Sequence, residues 1–242
     1  MMTDISPAVL DKLREFDTPT ICNVIELFDV RPRNVGYMNR KIKAAFPDLP
    51  PMVGFASTAL SRTYTKPTGK DGYSAVVDQI ARFGELSGPA VMVFQELDGE
   101  NGAATFGEVM CSQYKAFGAV GLITDGPGRD LDQVRAIDFP VFSDGVVCSH
   151  GNNHILDIHV PILVGGVAIY PNDLLHGDVN GVTTIPTDIA ADVADACAEF
   201  VAAEAVVIDL AQKGSPTLDQ MREANKEKSR LIAELGKRVR KG

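Results

Sequence analysis

Residues 120–137 read VGLITDGPGRDLDQVRAI, and they carry the clearest local signal of a fold class in the sequence. Its first five residues predict a short buried strand, and the glycine- and proline-rich residues that follow predict a loop. The segment from Leu131 to Ile137 then predicts a helix. In an open α/β sheet, ligands bind beside the carboxyl ends of the strands. Arg129 and Asp130 occupy that position, so the stretch predicts a fold class and also a place for a site.

Strand-like and helix-like segments alternate on both sides of this stretch. Short apolar or β-branched runs predict strands at 52–65, 90–95, 140–143, 159–164, 167–170 and 181–185. Apolar residues at helical spacing predict helices at 73–83 and 107–117, and within 7–29, 189–212 and 217–241. We therefore expect a single domain over residues 1–242. It would have a mixed α/β core at about 50–188, flanked by helices at the N-terminus (7–29) and the C-terminus (189–241).

Composition and charge disfavour several classes of protein. The formal net charge is −9 and the pI is about 4.9, which argues against a surface for nucleic acid. The four cysteines have no CxxC spacing, so neither a zinc ribbon nor a disulfide framework is predicted. The polar N-terminus lacks the apolar core of a signal sequence, and no stretch approaches about 18 uninterrupted apolar residues. We expect a cytoplasmic protein without a membrane span.

The pair Arg129-Asp130 has two interpretations. An arginine can hold a carboxylate through two parallel hydrogen bonds, and an aspartate supplies the hard oxygen ligand that Mg²⁺ or Mn²⁺ prefers. In the structural alternative, Asp130 caps the following helix, Gln133 completes a capping box, and Arg129 is a solvated loop residue. Spacing alone favours the structural alternative.

A wider comparison of motifs favours the functional interpretation. The segments GEVMCSQYKAFGAVGLITDGPGRDLDQVRAIDFPVF (107–142) and VGGVAIYPNDLLHGDVNGVTTIP (164–186) resemble the RraA-like family. That family comprises regulators of ribonuclease activity A and class II 4-hydroxy-4-methyl-2-oxoglutarate aldolases. The aldolases carry an acidic residue, twenty residues and then Arg-Asp, and Glu108 stands in this relation to Arg129-Asp130. The non-catalytic regulators tend to carry glycine at the first position.

The resemblance implies a fold and a set of residue roles. The fold would be a three-layer β/β/α sandwich of the swivelling-domain type with flanking helices. Asp130 would bind the metal directly, Glu108 would hold it through a water molecule, and Arg129 would pair with the substrate. The backbone N–H groups of Val109 and Met110, at a helix N-terminus, would bind the substrate's carboxylate.

The resemblance also implies a reaction and an assembly. The reaction would be carbon–carbon bond cleavage or decarboxylation of a small 2-oxo acid through a pyruvate enolate, with Mg²⁺ or Mn²⁺ as cofactor. The assembly would be a homotrimer or hexamer in which an acidic residue of a neighbouring subunit reaches the metal through water. Glu204 is the position that we match, and Glu199 is the alternative. The competing function is a protein-binding regulator of a ribonuclease.

Three histidines, His150, His154 and His159, lie close together in the sequence. The residues Gly151-Asn152-Asn153 predict a loop between the first two. A zinc site, a substrate-contacting loop and ordinary surface histidines are the three interpretations, and an isolated pair lacks the remaining ligands of a zinc site.

Overall fold

The computed structural model describes residues 5–68 and 72–240, and of residues 72–75 only the backbone. The helices of the described residues are α1 (Pro7–Arg14), α2 (Thr18–Phe28), α3 (Gly72–Ile80), α4 (Glu108–Ala116), α5 (Leu131–Ala136), α6 (Ala190–Gln212) and α7 (Leu218–Val239). The strands are β1 (Lys43–Ala44), β2 (Met52–Arg62), β3 (Ala90–Glu96), β4 (Gly121–Thr124), β5 (Val141–Ser143), β6 (His154–Ile158), β7 (Ile162–Val164), β8 (Val167–Ile169), β9 (Leu174–Asp178) and β10 (Gly181–Ile185). None of these helices is long and apolar enough to cross a membrane.

Eight of the strands form one mixed sheet in the order β1-β5-β4-β3-β2-β9-β10, with β6 also paired to β2. The four strands β2, β3, β4 and β5 run parallel, because α3, α4 and α5 carry the chain back between them. The long strand β2 has β3 on one edge, while β9 and then β6 pair antiparallel along the other edge. Strands β7 and β8 form a separate hairpin.

Strand β3 shows how the layers are built, because its residues are buried on both faces. Met92 and Phe94 pack into the cluster formed by the helical layer, which includes residues of α3, α4 and α5. Val91 and Val93 face the opposite way, into a cluster that contains the β7–β8 hairpin. Such an apolar run is typical of a parallel strand that is covered on both sides. The hairpin, the sheet and the helices therefore form the expected β/β/α arrangement.

The terminal helices pack together over the other part of the sheet. Residues of α1, α2, α6 and α7 share one apolar cluster with Val53 and Phe55 of β2 and Leu174 of β9. The mixed α/β fold with flanking N- and C-terminal helices is thus confirmed.

A buried histidine fastens the N-terminal helices to the sheet. The carbonyl oxygen of Leu13 lies 3.1 Å from Nε2 of His176, so that nitrogen carries the proton and donates. The hydroxyl of Thr18 then donates to Nδ1 at 2.9 Å, and the backbone N–H of Thr18 donates to Asp178. His176 is fully buried. Because burial disfavours the charged imidazolium, the pKa of His176 is lowered from its ordinary value.

Several predicted boundaries were wrong for identifiable reasons. Within 7–29, Thr18-Pro19 predicts an interruption and a second helix over 20–28, but that helix begins at Thr18, because Asp17 caps it and Pro19 lies in the first turn, where no N–H is needed. Of the strand expected at 159–164, only Ile162–Val164 (β7) is a strand, and Pro161 directly precedes it; β6 (His154–Ile158) was not predicted. Strand β9 was not predicted, and the two-residue β1 lies within a region expected to be irregular.

Candidate functional site

Two loops run side by side at the carboxyl end of β4. One is the segment from β4 to α5, and the other leads into α4. The backbone N–H of Thr105 donates to the carbonyl of Pro127 at 2.8 Å, and that of Arg129 donates to the carbonyl of Phe106 at 3.1 Å. A parallel bridge joins Phe106 to Gly128. These contacts bring the beginning of α4 next to the beginning of α5, although the two are more than twenty residues apart in the sequence.

Asp130 lies at the junction of these loops. Its backbone is in the left-handed region, with φ 56° and ψ 40°, a conformation that is uncommon for residues other than glycine but tolerated by aspartate. Its side chain makes no capping hydrogen bond to α5, so the predicted capping box with Gln133 was wrong. Oδ2 of Asp130 instead accepts a hydrogen bond of 3.1 Å from the backbone N–H of Glu108. The carboxylate therefore lies at the N-terminus of the neighbouring helix, α4, where a negative charge is stabilised.

Gly107 makes this approach possible. A Cβ atom at Gly107 would lie 2.6 Å from Oδ2 of Asp130 and 3.2 Å from both Cγ and Nε of Arg129. No side chain fits in that space unless the carboxylate moves. The sequence Gly107-Glu108 therefore has a steric role as well as a chemical one.

Arg129 and the first turn of α4 face the same cleft as Asp130. The guanidinium Nε of Arg129 lies 3.6 Å from Oδ2 of Asp130, and both side chains are about one-third exposed. Val109 and Met110 occupy the first turn of α4, where backbone N–H groups have no carbonyl partner within the helix. The cleft is lined by Arg129, Asp130, Val109 and Met110, together with His150 and Asn153. All the residues predicted to bind substrate are therefore brought together.

A buried hydroxyl in the wall of this cleft is unpaired. Thr105 is fully buried, and its Oγ1 has no hydrogen-bond partner among the described residues. Buried hydroxyls usually have a hydrogen-bond partner, and an unpaired one is consistent with a place where a ligand or water binds.

The donor set of one chain suits only part of a metal's coordination shell. Asp130 and the exposed Glu108 supply two carboxylates, and the described residues contain no group of three or more histidine, cysteine, aspartate or glutamate side chains placed to hold a metal. Mg²⁺ is commonly bound through one or two carboxylates while water and substrate supply the other ligands. The residues present therefore fit a divalent ion that is shared with substrate, but not a closed structural site.

The two acidic residues considered for a neighbouring subunit differ in their surroundings. Glu199 pairs with Arg238 of its own chain at 2.5 Å. Glu204 lies further along α6 and is half-buried. Neither residue lines the cleft within one chain. The contribution of Glu204 from a neighbour stays a prediction.

The three histidines lie in different parts of the fold. His150 lines the cleft. His154 is buried at the start of β6, with Nδ1 2.7 Å from the carbonyl oxygen of Asn152. His159 packs beside the sheet, where Nε2 is 3.0 Å from Oγ of Ser57 and Nδ1 is 3.5 Å from Glu85. The zinc interpretation is wrong for the described residues, because these side chains form no metal-holding group.

The arrangement of Ser57, His159 and Glu85 has the order of a hydrolase triad, but it is structural. Ser57 is fully buried and also accepts a hydrogen bond from the Gln79 side chain at 3.2 Å. A nucleophile must reach its substrate, and the hydroxyl of a fully buried serine does not. Burial lowers the pKa of His159, which keeps the imidazole neutral within the packed interior.

A larger groove lies away from these residues, and sequence reasoning missed it. It encloses about 530 Å³ and is lined by Glu96, Asp125 and Asp144, at or just beyond the carboxyl ends of β3, β4 and β5. Burial is the main cause that raises the pKa of Asp125, to about 6. Glu96 already accepts hydrogen bonds from the Thr63 hydroxyl and from two backbone N–H groups, and Asp125 accepts one from the backbone of Glu96. These carboxylates organise loops, so the smaller cleft at Asp130 is the better candidate.

Comparison with known proteins agrees with the geometry. A family model described as RraA-like (Aldolase/RraA) matches residues 18–184. A protein of Halalkalibacterium halodurans that carries the provisional name 4-hydroxy-4-methyl-2-oxoglutarate aldolase is 35% identical over 99 residues, which are 40% of this chain and 47% of that protein. The matched regions span between 21% and 47% of the length of the curated relatives.

Solved structures share the fold over most of the chain. An uncharacterized protein from Pseudomonas syringae pv. tomato superposes with a TM-score of 0.71 at 26% identity, covering 92% of this chain and 96% of the other. Streptomyces coelicolor RraAS2, described as an unusual member of the RNase ES inhibitor RraA protein family, gives a TM-score of 0.66 at 19% identity, with coverage of 84% and 96%. At that identity, the second likeness shows the fold alone.

Proposed function

The chain belongs to the RraA-like family, and we propose that it is a divalent-metal-dependent lyase that acts on a small 2-oxo acid through a pyruvate enolate. The observation that carries this proposal is the position of the Asp130 carboxylate. It lies 3.1 Å from the backbone nitrogen of Glu108 and 3.6 Å from Nε of Arg129, so the Arg-Asp pair of the aldolase pattern lies beside the helix that Glu108 begins. The relative with the provisional aldolase name supports the same function.

The chain's own groups are suited to bind a 2-oxo acid. Arg129 can donate two parallel hydrogen bonds from its guanidinium to the carboxylate and keto oxygens of the substrate. The free N–H groups of Val109 and Met110 can bind the other carboxylate oxygen at the positive end of α4. The Asp130 side chain is held by the N–H of Glu108, so its second oxygen is oriented before substrate arrives.

The metal would be held by Asp130 directly, by Glu108 through water and by the Glu204 of a neighbouring subunit through water. When bound, a Mg²⁺ or Mn²⁺ ion stabilises negative charge on the keto oxygen as a Lewis acid. In the aldol reaction, the C4 hydroxyl gives up its proton and becomes a carbonyl as the bond between C3 and C4 breaks. The electron pair of that bond stays with C3, giving the enolate of pyruvate, which then takes up a proton at C3. Arg129 and the helix N-terminus stabilise the charge that develops on the substrate's oxygens. Oxaloacetate decarboxylation releases CO₂ and leaves the same enolate.

The proposed assembly is a homotrimer or hexamer. Within the described part of one chain, the carboxylate that lines the cleft is that of Asp130, so further acidic ligands would come from Glu108 at the start of α4 and from a neighbour. Helix α6 presents Val201 and Ile208 to solvent on the same helix as Glu204, and both apolar side chains are more than 40% exposed. A neighbouring subunit that covers this face would bury those side chains.

The test is metal-dependent release of pyruvate from oxaloacetate, with enzyme-free reactions subtracted because free metal ions also promote this decarboxylation. The protein is treated with a chelator, and Mg²⁺ or Mn²⁺ is then restored. We expect activity only after metal is restored, and none in Asp130→Asn. Asp132→Asn is the matched control, because Asp132 is an exposed aspartate of the same short helix and does not line the cleft. If the folded protein releases no pyruvate in a metal-dependent way, the lyase proposal is wrong and the ribonuclease-regulator alternative remains.

A further inference from the structure

The loop between β5 and β6 is fastened to the segment that leads into α4. The backbone N–H of Ala104 donates to the carbonyl of Ser149 at 2.8 Å. The side-chain amide of Asn153 donates to the carbonyls of Ala104 at 3.1 Å and Thr105 at 2.9 Å. Two points of this loop, one on each side of His150, are therefore fixed relative to the N-terminus of α4.

His150 lies in the tight turn between these two points. The backbone N–H of Asn153 donates to the carbonyl of His150 at 3.0 Å, and Gly151 takes a positive φ of 50° that closes the turn. The backbone N–H of Asn152 donates to the carbonyl of Thr63 at 2.7 Å, which holds the turn from the other side. The imidazole is exposed and lines the cleft, so the fixed backbone of the turn presents its ring nitrogens to a ligand bound there.

The charges around the cleft indicate what His150 can bind. Arg129 and His150 are the two side chains in the cleft lining that can carry positive charge, while Asp130 contributes negative charge. In the proposed function, Arg129 and the first turn of α4 take the 1-carboxylate and the keto oxygen. A second anionic group of the substrate then needs another donor, and the side chain of His150, in the same lining, can supply one.

We propose that His150 determines specificity by binding the distal carboxylate of a 2-oxo dicarboxylic acid. This proposal rests on the function proposed above and goes further, because it assigns the substrate class to a residue of this chain. An imidazole donates a hydrogen bond from a ring nitrogen, and it does so more strongly when protonated. A monocarboxylic 2-oxo acid has no partner for this donor and gains nothing from it.

Two substrates that pass through the same enolate separate specificity from chemistry. Oxaloacetate is a 2-oxo dicarboxylic acid, and its turnover is followed by pyruvate release. Pyruvate is the monocarboxylic counterpart, and its enolate is followed by exchange of methyl protons for deuterium in D₂O by NMR. The ratio of the two values of kcat/KM, oxaloacetate over pyruvate, is measured for the metal-loaded wild-type protein and for three variants.

The variants are His150→Ala, His150→Lys and Cys148→Ser. We expect His150→Ala to lower the ratio at least about tenfold, chiefly through KM for oxaloacetate, as for the loss of one hydrogen bond to a charged group. His150→Lys, which supplies a hydrogen-bond donor for a carboxylate at the same position, should retain most of the ratio. Cys148→Ser is the control, because Cys148 is exposed on the same loop and does not line the cleft.

The other outcomes overturn the proposal in distinguishable ways. An unchanged ratio in His150→Ala shows that the imidazole does not bind the distal carboxylate. An equal loss with both substrates shows that His150 acts in the common chemistry or holds the loop, and is not a specificity residue. If the wild-type protein turns over neither substrate, the proposed lyase function itself fails.

Discussion

Replacing Gly107 with alanine tests the geometry of the Asp130 cleft without removing any polar group. The new Cβ atom would lie 2.6 Å from Oδ2 of Asp130, whereas ordinary van der Waals contact begins at 3.4 Å. The carboxylate therefore has to retreat by about 0.8 Å if it alone moves. The backbone at Gly107 is extended, with φ −161°, a conformation that alanine also adopts. We thus expect the fold to tolerate the substitution while the site does not.

The expected loss follows from that displacement. A misplacement of about 1 Å in an active site can lower the rate roughly 100-fold, which corresponds to about 2.7 kcal/mol of transition-state stabilisation. We therefore expect kcat/KM for metal-dependent pyruvate release from oxaloacetate to fall by roughly 30- to 100-fold in Gly107→Ala. Calorimetric titration with Mn²⁺ should show weaker binding, because Asp130 is the proposed direct ligand.

Gly84→Ala is the matched control for this experiment. Gly84 has open space where its Cβ would be added, and it lies outside the cleft. Both variants should keep the wild-type circular dichroism spectrum. Wild-type activity in a folded Gly107→Ala protein would refute the idea that the approach of Asp130 to α4 matters, and equal losses in both variants would show a general effect of substitution.

Three further predictions concern charge at the site and in the core. Arg129→Lys should raise KM for the 2-oxo acid by about tenfold or more, because lysine cannot form the two parallel hydrogen bonds of a guanidinium. Steady-state kinetics measures this, and an unchanged KM would contradict the role of Arg129. Glu204→Gln should lower activity more than Glu199→Gln, since Glu199 is paired with Arg238 in its own chain, and the reverse order would contradict the assignment of Glu204 to a neighbouring site. The pKa of buried His176 is lowered by desolvation, so the folded state binds fewer protons there than the unfolded chain. Its contribution to the free energy of unfolding is fully present above about pH 6.5 and is lost as the pH falls below that value. Urea unfolding at pH 7.5 and 5.5 should show a larger loss for wild type than for His176→Asn, and equal losses would exclude this linkage.

The central strands were predictable because their signal is local. Strands β3 and β4 are short apolar runs between turn-forming residues, and both were expected within one residue of their observed bounds. Strand β9, Leu174–Asp178, has no such signal, because His176 and Asp178 are polar residues in its buried part. They are tolerated there because Leu13 and Thr18, about 160 residues earlier, satisfy their hydrogen bonds. A sequence shows the polar residue but not the distant partner that makes its burial acceptable.

In the candidate site, too, the residues with a local sequence signal were predictable and those that depend on distant contacts were not. The spacing of Glu108, Arg129 and Asp130 was visible in the sequence, and in the structure the Asp130 carboxylate lies beside Arg129 and accepts from the backbone N–H of Glu108. His150 could not be assigned, because its approach depends on hydrogen bonds between its loop and the backbone near Ala104.

Asp130 does act as a helix cap, but of a different helix from the one that the sequence suggests. An aspartate before a helix is most often a cap of that helix, and Asp130 does occupy the N-cap position of α5. Its side chain instead caps α4, through the N–H of Glu108, while its backbone adopts the left-handed region. A cap of its own helix would turn the carboxylate toward α5. A cap of the neighbouring helix turns it toward Arg129 and the free N–H groups of α4, so the choice of helix that Asp130 caps is also what forms the cleft.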